Sequence, residues 1–150
     1  MANRTYRGPN DRQPKTVSNK TVTGALLPCT FVTEGATALA QATAPGPMLR
    51  ILSDRDFYGN AIAATTEPLF TPYVSGETGV AYVPEVGQVY QVAMAAATYT
   101  YGQELTVAAA GRLAASASTD TVAAYFVGAP GAYAAGALAD VEIANAYTKA

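Results

Sequence analysis

From residue 80 onward the chain alternates. Short Val, Tyr and Leu runs are separated by Ala, Gly and small polar residues, and glycines punctuate them at short intervals. Period-two runs bounded by Gly and Pro clusters mark strands joined by tight turns, so this stretch predicts a compact antiparallel β domain. Val80, Tyr82 and Val83 lead into the turn Pro84-Glu85-Val86-Gly87, and 89–94 forms the next strand. Residues 93–97 are alanine-rich enough for helix on propensity alone, but Tyr99 and Tyr101 alternating with Thr98 and Thr100 favour extended chain. Residues 105–107, the turn Ala109-Ala110-Gly111 and residues 112–114 predict a hairpin. Residues 121–127 predict another strand, and 128–136 an Ala-rich loop. Val141 and Ile143 alternating with Asp140 and Glu142 predict a last strand with one wet face.

The first half is more broken. A strand over 22–27 ends at Pro28, and 30–33 continues extended to a turn at Gly35. Residues 39–43 pair back across that turn, and Pro45-Gly46-Pro47 breaks the chain. Residues 48–52 form a buried strand, 53–59 a polar loop, and 61–66 is ambiguous between strand and helical turn. Pro68 and Pro72 keep the next segment extended or looped. Residues 1–20 have almost no apolar content and carry Pro9 and Pro14. They read as an extended arm, disordered when alone and dispensable for folding, in front of a β-rich domain over 21–150.

Charge sharpens that division. The arm holds Arg4, Arg7, Arg12, Lys15 and Lys20 against Asp11, a net +4, whereas 21–150 holds four basic and ten acidic side chains, a net −6. A basic arm on an acidic body is the pattern of a segment that docks elsewhere. Without interleaved stacking aromatics, +4 is thin for nucleic acid, and none is expected as a partner. Charged residues make up 13% of the 150, about half the usual share, which suits a chain lying against neighbours in an assembly. There is no run of eighteen apolar residues for a membrane span and no apolar core for a secretory signal. The expectation is cytoplasmic synthesis, with export only on a particle. The sequons Asn3-Arg4-Thr5 and Asn19-Lys20-Thr21 then count as chance matches.

Catalytic chemistry finds little to work with. The sequence has no histidine, the commonest general base and metal ligand. Cys29 is the single cysteine, so no intrachain disulfide forms; following Pro28 in an apolar run, it reads as a buried structural thiol. Asp54-Arg55-Asp56 reads as a solvated loop with a local ion pair, with a weak calcium site as the alternative. No glycine-rich loop has phosphate-cradling spacing. No metal, cofactor or catalytic residue is expected. The ten tyrosines stand out, with Tyr73, Tyr82, Tyr90, Tyr99, Tyr101 and Tyr125 in or beside predicted strands. They fit the boundary of a core or a protein interface; a sugar platform is less attractive without Trp.

Several ordered features resemble the head decoration, or capsid cement, proteins of tailed phages. Leu26-Leu27-Pro28-Cys29-Thr30-Phe31-Val32 stands where that family has a leucine–proline–glycine–valine segment, with Cys29 where glycine is common. Residues 89–94 followed by Tyr101-Gly102-Gln103-Glu104-Leu105 resemble its small-residue strand, glycine and leucine. Ala109-Ala110-Gly111-Arg112-Leu113 resembles its hairpin, and 121–127 with 140–144 its closing strands. The likeness covers about 22–146, and the arm matches no fixed motif. It implies a mostly-β fold, a small antiparallel β-barrel or β-tulip-like domain on the outer surface of a mature capsid. There it stabilises the shell by bridging neighbouring copies of the major capsid protein, often as a homotrimer, and is not an enzyme. In that setting Arg4, Arg7, Arg12, Lys15 and Lys20 are expected to contact the capsid, and Tyr82, Tyr90, Tyr99 and Tyr101 to line subunit contacts. The rival expectations are a tail or fibre component that binds host or glycan, and an enzyme using carboxylates alone, for example on a glycan, with Asp54 and Asp56 as the nearest candidates.

Overall fold

The computed structural model describes residues 5–55 and 68–150. The fold is mostly β, with thirteen strands and one 3₁₀ turn, Ala109–Gly111, among the described residues. The first unit is a closed five-stranded barrel. It contains β2 (Lys15–Val22), β3 (Phe31–Glu34), β4 (Ala38–Gln41), β5 (Leu49–Leu52) and β6 (Thr78–Val83), in the order β2-β4-β3-β5-β6. The barrel is mixed: β2 and β4 run parallel through Thr21↔Ala38, and the other pairs are antiparallel. The second unit is a six-stranded antiparallel sheet of β1 (Tyr6–Gly8), β7 (Val89–Ala93), β9 (Glu104–Val107), β10 (Leu113–Ala115), β11 (Thr121–Phe126) and β13 (Leu138–Thr148). Its order is β1-β7-β13-β11-β9-β10. A two-stranded ribbon joins β8 (Ala97–Tyr99) to β12 (Gly131–Tyr133).

Two short apolar runs explain how the units join. A strand buried on both faces reads as continuous hydrophobic sequence, because successive side chains point to opposite sides. Phe31-Val32 and Ile51-Leu52 are such runs, and all four side chains are buried. Val32 and Leu52 point into the barrel, with Val22, Leu39, Tyr73 and Ala81. Phe31 and Ile51 point the other way, into the larger core with Tyr90, Val92, Leu105 and Phe126. β3 and β5 therefore form a wall shared by both cores. Backbone bonds fasten it: the Ala93 amide donates to the Cys29 carbonyl (2.8 Å), and the Gly111 amide to the Ala42 carbonyl (2.8 Å).

The predicted strands over 30–33, 39–43, 48–52, 80–83, 89–94, 105–107, 112–114 and 121–127 all find observed counterparts, as does the hairpin around Gly111. The last strand extends further than expected, and its Ala139, Val141 and Ile143 are buried while Asp140 and Glu142 stay half-exposed. β12 falls inside the predicted loop, and Tyr101 lies in a turn rather than in a strand. The ambiguous segment 61–66 and the loop residues 56–59 lie outside the described residues.

The reading of residues 1–20 as an extended arm in front of the β domain requires correction over its described part, residues 5–20. Tyr6–Gly8 pairs with β7 through Tyr6↔Tyr90. β2 closes the barrel on β6 from Lys15↔Val83 to Thr21↔Thr78 and ends at Val22, so the strand expected over 22–27 is instead a strand over 15–22 followed by an irregular stretch with one isolated bridge, Leu26↔Tyr73. The segment Lys-Thr-Val-Ser-Asn-Lys-Thr-Val buries only its last side chain. Backbone pairing, which leaves no hydrophobic signature, holds the rest. Tyr6 adds an anchor: its ring packs edge-on to Tyr90 at 5.3 Å, and its hydroxyl lies between the carbonyls of Pro9 (2.7 Å) and Arg12 (2.9 Å), either of which can take its one proton.

Deleting residues 1–20 removes β1 and most of β2 and opens the barrel. The truncated chain is expected to be unfolded at 25 °C or to melt at least ~10 °C below the full chain by circular dichroism; an unchanged midpoint would restore the detached arm. Gly111 lies at φ +64°, and a Cβ there would run into the Gln41 side chain and the Phe31 carbonyl. Gly111→Ala is therefore expected to cost about 2–4 kcal/mol in urea unfolding, combining left-handed strain with overpacking. A loss below ~1 kcal/mol would show that the junction yields.

Candidate functional site

The basic residues of the N-terminal segment are spread along its strands. Arg7 pairs with Asp140 at 3.2 Å and Lys15 with Glu85 at 2.9 Å. Lys20 donates to the Ala36 carbonyl at 2.6 Å, and Arg12 is exposed on the turn between β1 and β2. Arg4 lies outside the described residues. The segment is thus stitched to the body by its own cations.

The tyrosines divide, and two of the four expected at a subunit interface are corrected. Tyr90 and Tyr99 are wholly buried within this chain, so neither is available to a neighbour. Tyr90 donates to Gln88 Oε1 (2.7 Å), and burial pushes its phenol far above the usual range. Tyr99 stacks on Phe126 at 5.4 Å and donates to the Ala95 carbonyl (2.9 Å). Each satisfies its hydroxyl inside the core, as a buried tyrosine must. Tyr82 is half-buried, packed with Tyr6 and Tyr90. Tyr101 is 71% exposed at the turn after β8.

Cys29 is fully buried, and its Sγ lies 3.3 Å from Thr5 Oγ1. Its backbone sits at φ +60°, the left-handed region that favours glycine. That conformation turns its amide toward the Leu52 carbonyl of β5 (2.9 Å) and its carbonyl toward Ala93 of β7. The residue standing in a glycine's place is thus the splice between the two units. Burial pushes its thiol up to about 12, beyond the modest lowering from Thr5. Of the Asp54-Arg55-Asp56 trio, Asp56 is outside the described residues; Arg55 pairs with Glu77 at 2.8 Å and lies 6.0 Å from the Tyr73 ring centre. Among the described residues, no three His, Cys, Asp or Glu side chains come close enough to hold a metal ion.

Sequence reasoning missed a cleft between the units, of about 210 Å³. Leu27, Thr30 and Gln41 line it from the barrel side, Arg112 and Leu138 from the side of the six-stranded sheet, and Leu69 and Phe70 close it. Its rim is apolar and half-open, with Leu27 40% and Phe70 53% exposed. Gln41 Nε2 donates to the Phe31 carbonyl (2.8 Å), and Thr30 Oγ1 to the Leu27 carbonyl (2.7 Å). No local sequence signal marks this site, because its lining spans residues 25–138. Thr30 and Gln41 thus have partners in place, while Leu27 and Phe70 stand partly in water as an exposed apolar rim.

No protein-family model matches the chain, and no curated protein matches it. Among solved structures, the chain is similar to the N base of the head fiber gp8.5 of bacteriophage phi29, with a TM-score of 0.54 and 12% identity. The match covers 92% of this chain and 98% of that one, a likeness of fold from end to end.

The Cys29 environment generates a chemical expectation. Burial both covers the thiol and holds it protonated, so iodoacetamide should leave the native protein unlabelled at pH 8 and label it promptly in urea. The raised value also sets a sign: the stabilisation from a protonated thiol is complete below the ordinary thiol range and lost as pH rises toward about 12. The full chain should therefore lose stability relative to Cys29→Ala across that alkaline window. Rapid labelling of the native protein would contradict the burial.

Proposed function

We propose that this chain is a structural virion protein of a tailed phage, held on the outer capsid surface. There it bridges neighbouring copies of the major capsid protein and stabilises the shell. The observation that carries this reading is the likeness of fold to a head-fiber base, because nearly all of both chains takes part. The surface supports it. Charge is sparse, and large apolar side chains, including Met48, Val86 and Tyr101, stand exposed. Such a surface gains by lying against other protein. In this reading the chain is not an enzyme and needs no cofactor, metal, nucleic acid or membrane. It works as a homotrimer, with Tyr101, the exposed member of the four tyrosines, at the contacts between copies. The folded N-terminal segment offers Arg12 to the shell in place of a loose basic arm.

A second reading draws on the same neighbour, which is the base of a fiber. The chain then seats a projecting module that meets host or glycan, and its own role is attachment.

Co-sedimentation with empty expanded capsids tests the proposal. The full chain is expected to pellet with capsids and to remain in the supernatant without them. Electron microscopy of the decorated particles should place three copies around each local threefold position. Failure to pellet, together with retention on a glycan array, would sink the shell reading in favour of the second. Isolated single copies on the capsid would rule out the trimer alone.

A further inference from the structure

The body of the chain, residues 21–150, carries four cations, Arg50, Arg55, Arg112 and Lys149. Three are neutralised at short range: Arg50 by Glu34 (2.8 Å), Arg55 by Glu77 (2.8 Å) and Lys149 by Glu104 (2.9 Å). Arg112 is the exception. Among the described residues no carboxylate lies within ion-pair distance of it, and it lines the cleft between the two units. On a body of net charge −6, an unpaired guanidinium in an apolar recess is a specific feature rather than part of a basic field.

We infer that the cleft seats one bulky apolar side chain of a partner protein, and that a carboxylate beside it in the partner's chain pairs with Arg112. The size of the recess selects this occupant. Small-molecule sites usually offer about 300–1,000 Å³. A recess of about 210 Å³ is below that range and suits a single side chain. The lining selects the anchor's chemistry. Leu27, Leu69, Phe70 and Leu138 supply apolar walls, while Gln41 and Thr30 spend donor groups on Phe31 and Leu27 of their own chain. An apolar group therefore enters without stranding those donors. Arg112 supplies the remaining recognition, since its planar fork matches a carboxylate. Arginine is among the residues enriched at the energetic centres of protein interfaces, where anchors fill desolvated pockets. The fold holds the recess in place, because Ala110 and Gly111 of the adjoining 3₁₀ turn are fixed by the Gly111–Ala42 bond.

This goes beyond the shell-binding reading and rests on it for the partner: the occupant is an apolar side chain with a neighbouring carboxylate on a different protein, the capsid subunit, and not on a second copy of this chain. The test is a nitrogen-15 NMR titration of the full chain with the capped dipeptide acetyl-Phe-Asp-amide, compared with acetyl-Phe-Asn-amide. The Asp peptide is expected to shift the amides of Ala93, Ala110, Arg112 and Gly136, with a Kd of about 1–10 mM. The Asn peptide should bind at least about threefold more weakly, and Arg112→Gln should erase that difference while leaving the remaining spectrum intact. Equal affinities for the two peptides, or no shifts at 20 mM, would overturn the inference. Tighter binding of 3-phenylpropionate than of the Asp peptide would overturn it in favour of a small-molecule site. Self-association abolished by Arg112→Gln in sedimentation equilibrium would overturn it in favour of a second copy of this chain. Capsid co-sedimentation separates the two proposals. Peptide binding without capsid binding leaves the cleft standing and sinks the shell, and the reverse sinks the cleft.

Discussion

Phe31 and Val32 are adjacent, and both are buried on opposite faces of one strand; Ile51 and Leu52 repeat the arrangement on its neighbour. A strand with two dry faces needs a packed layer on each side. The barrel core supplies one and the six-stranded sheet the other. Neither unit has a complete surface of its own at this wall. The Cys29 turn and the Gly111 approach follow from it, because the backbone polar groups flanking the wall need partners across the junction. The cleft follows too, as the open margin where the two packed units diverge.

Where side chains alternate across a core face, the sequence announced the structure. Thr121–Phe126 and the Asp140–Ile143 stretch of β13 bury every second residue, and their strands were legible. The Gly111 hairpin was legible from its turn residues. β2 was not, because its hydrogen bonds to β6 carry it and its side chains face water. Tyrosine is ambiguous for a related reason. The same ring serves a core when its hydroxyl finds an internal acceptor and an interface when it does not, and that acceptor is invisible in sequence. Gln88, two residues before Tyr90, settles one case, and the Ala95 carbonyl settles Tyr99. Cys29 was readable as buried from its apolar setting, but its left-handed backbone was not. The cleft was wholly illegible, since the residues that line it, Leu27 and Arg112 among them, lie far apart in the sequence.

Charge is used sparingly and mostly in pairs. Arg7 ties β1 to β13, Lys15 ties β2 to the turn after β6, and Lys149 ties the chain beyond β13 to β9. These pairs are partly exposed, so each contributes little to stability. Their value is in registering segments whose side chains offer no apolar guide. Tyr147 adds to the last of these by donating to Glu104, which holds that carboxyl below the usual range.

The strand order has a consequence for how the molecule is made. β13 lies between β7 and β11 in the six-stranded sheet, yet ribosomes produce both neighbours first. β1 is made before the other described strands, and its partner β7 follows some eighty residues later. The barrel strands all lie between Lys15 and Val83, so that unit can close while synthesis continues. Its outer wall, bearing Phe31 and Ile51, then waits bare for the sheet that covers it. During that interval the growing chain carries uncovered apolar surface, the condition under which partly folded chains aggregate.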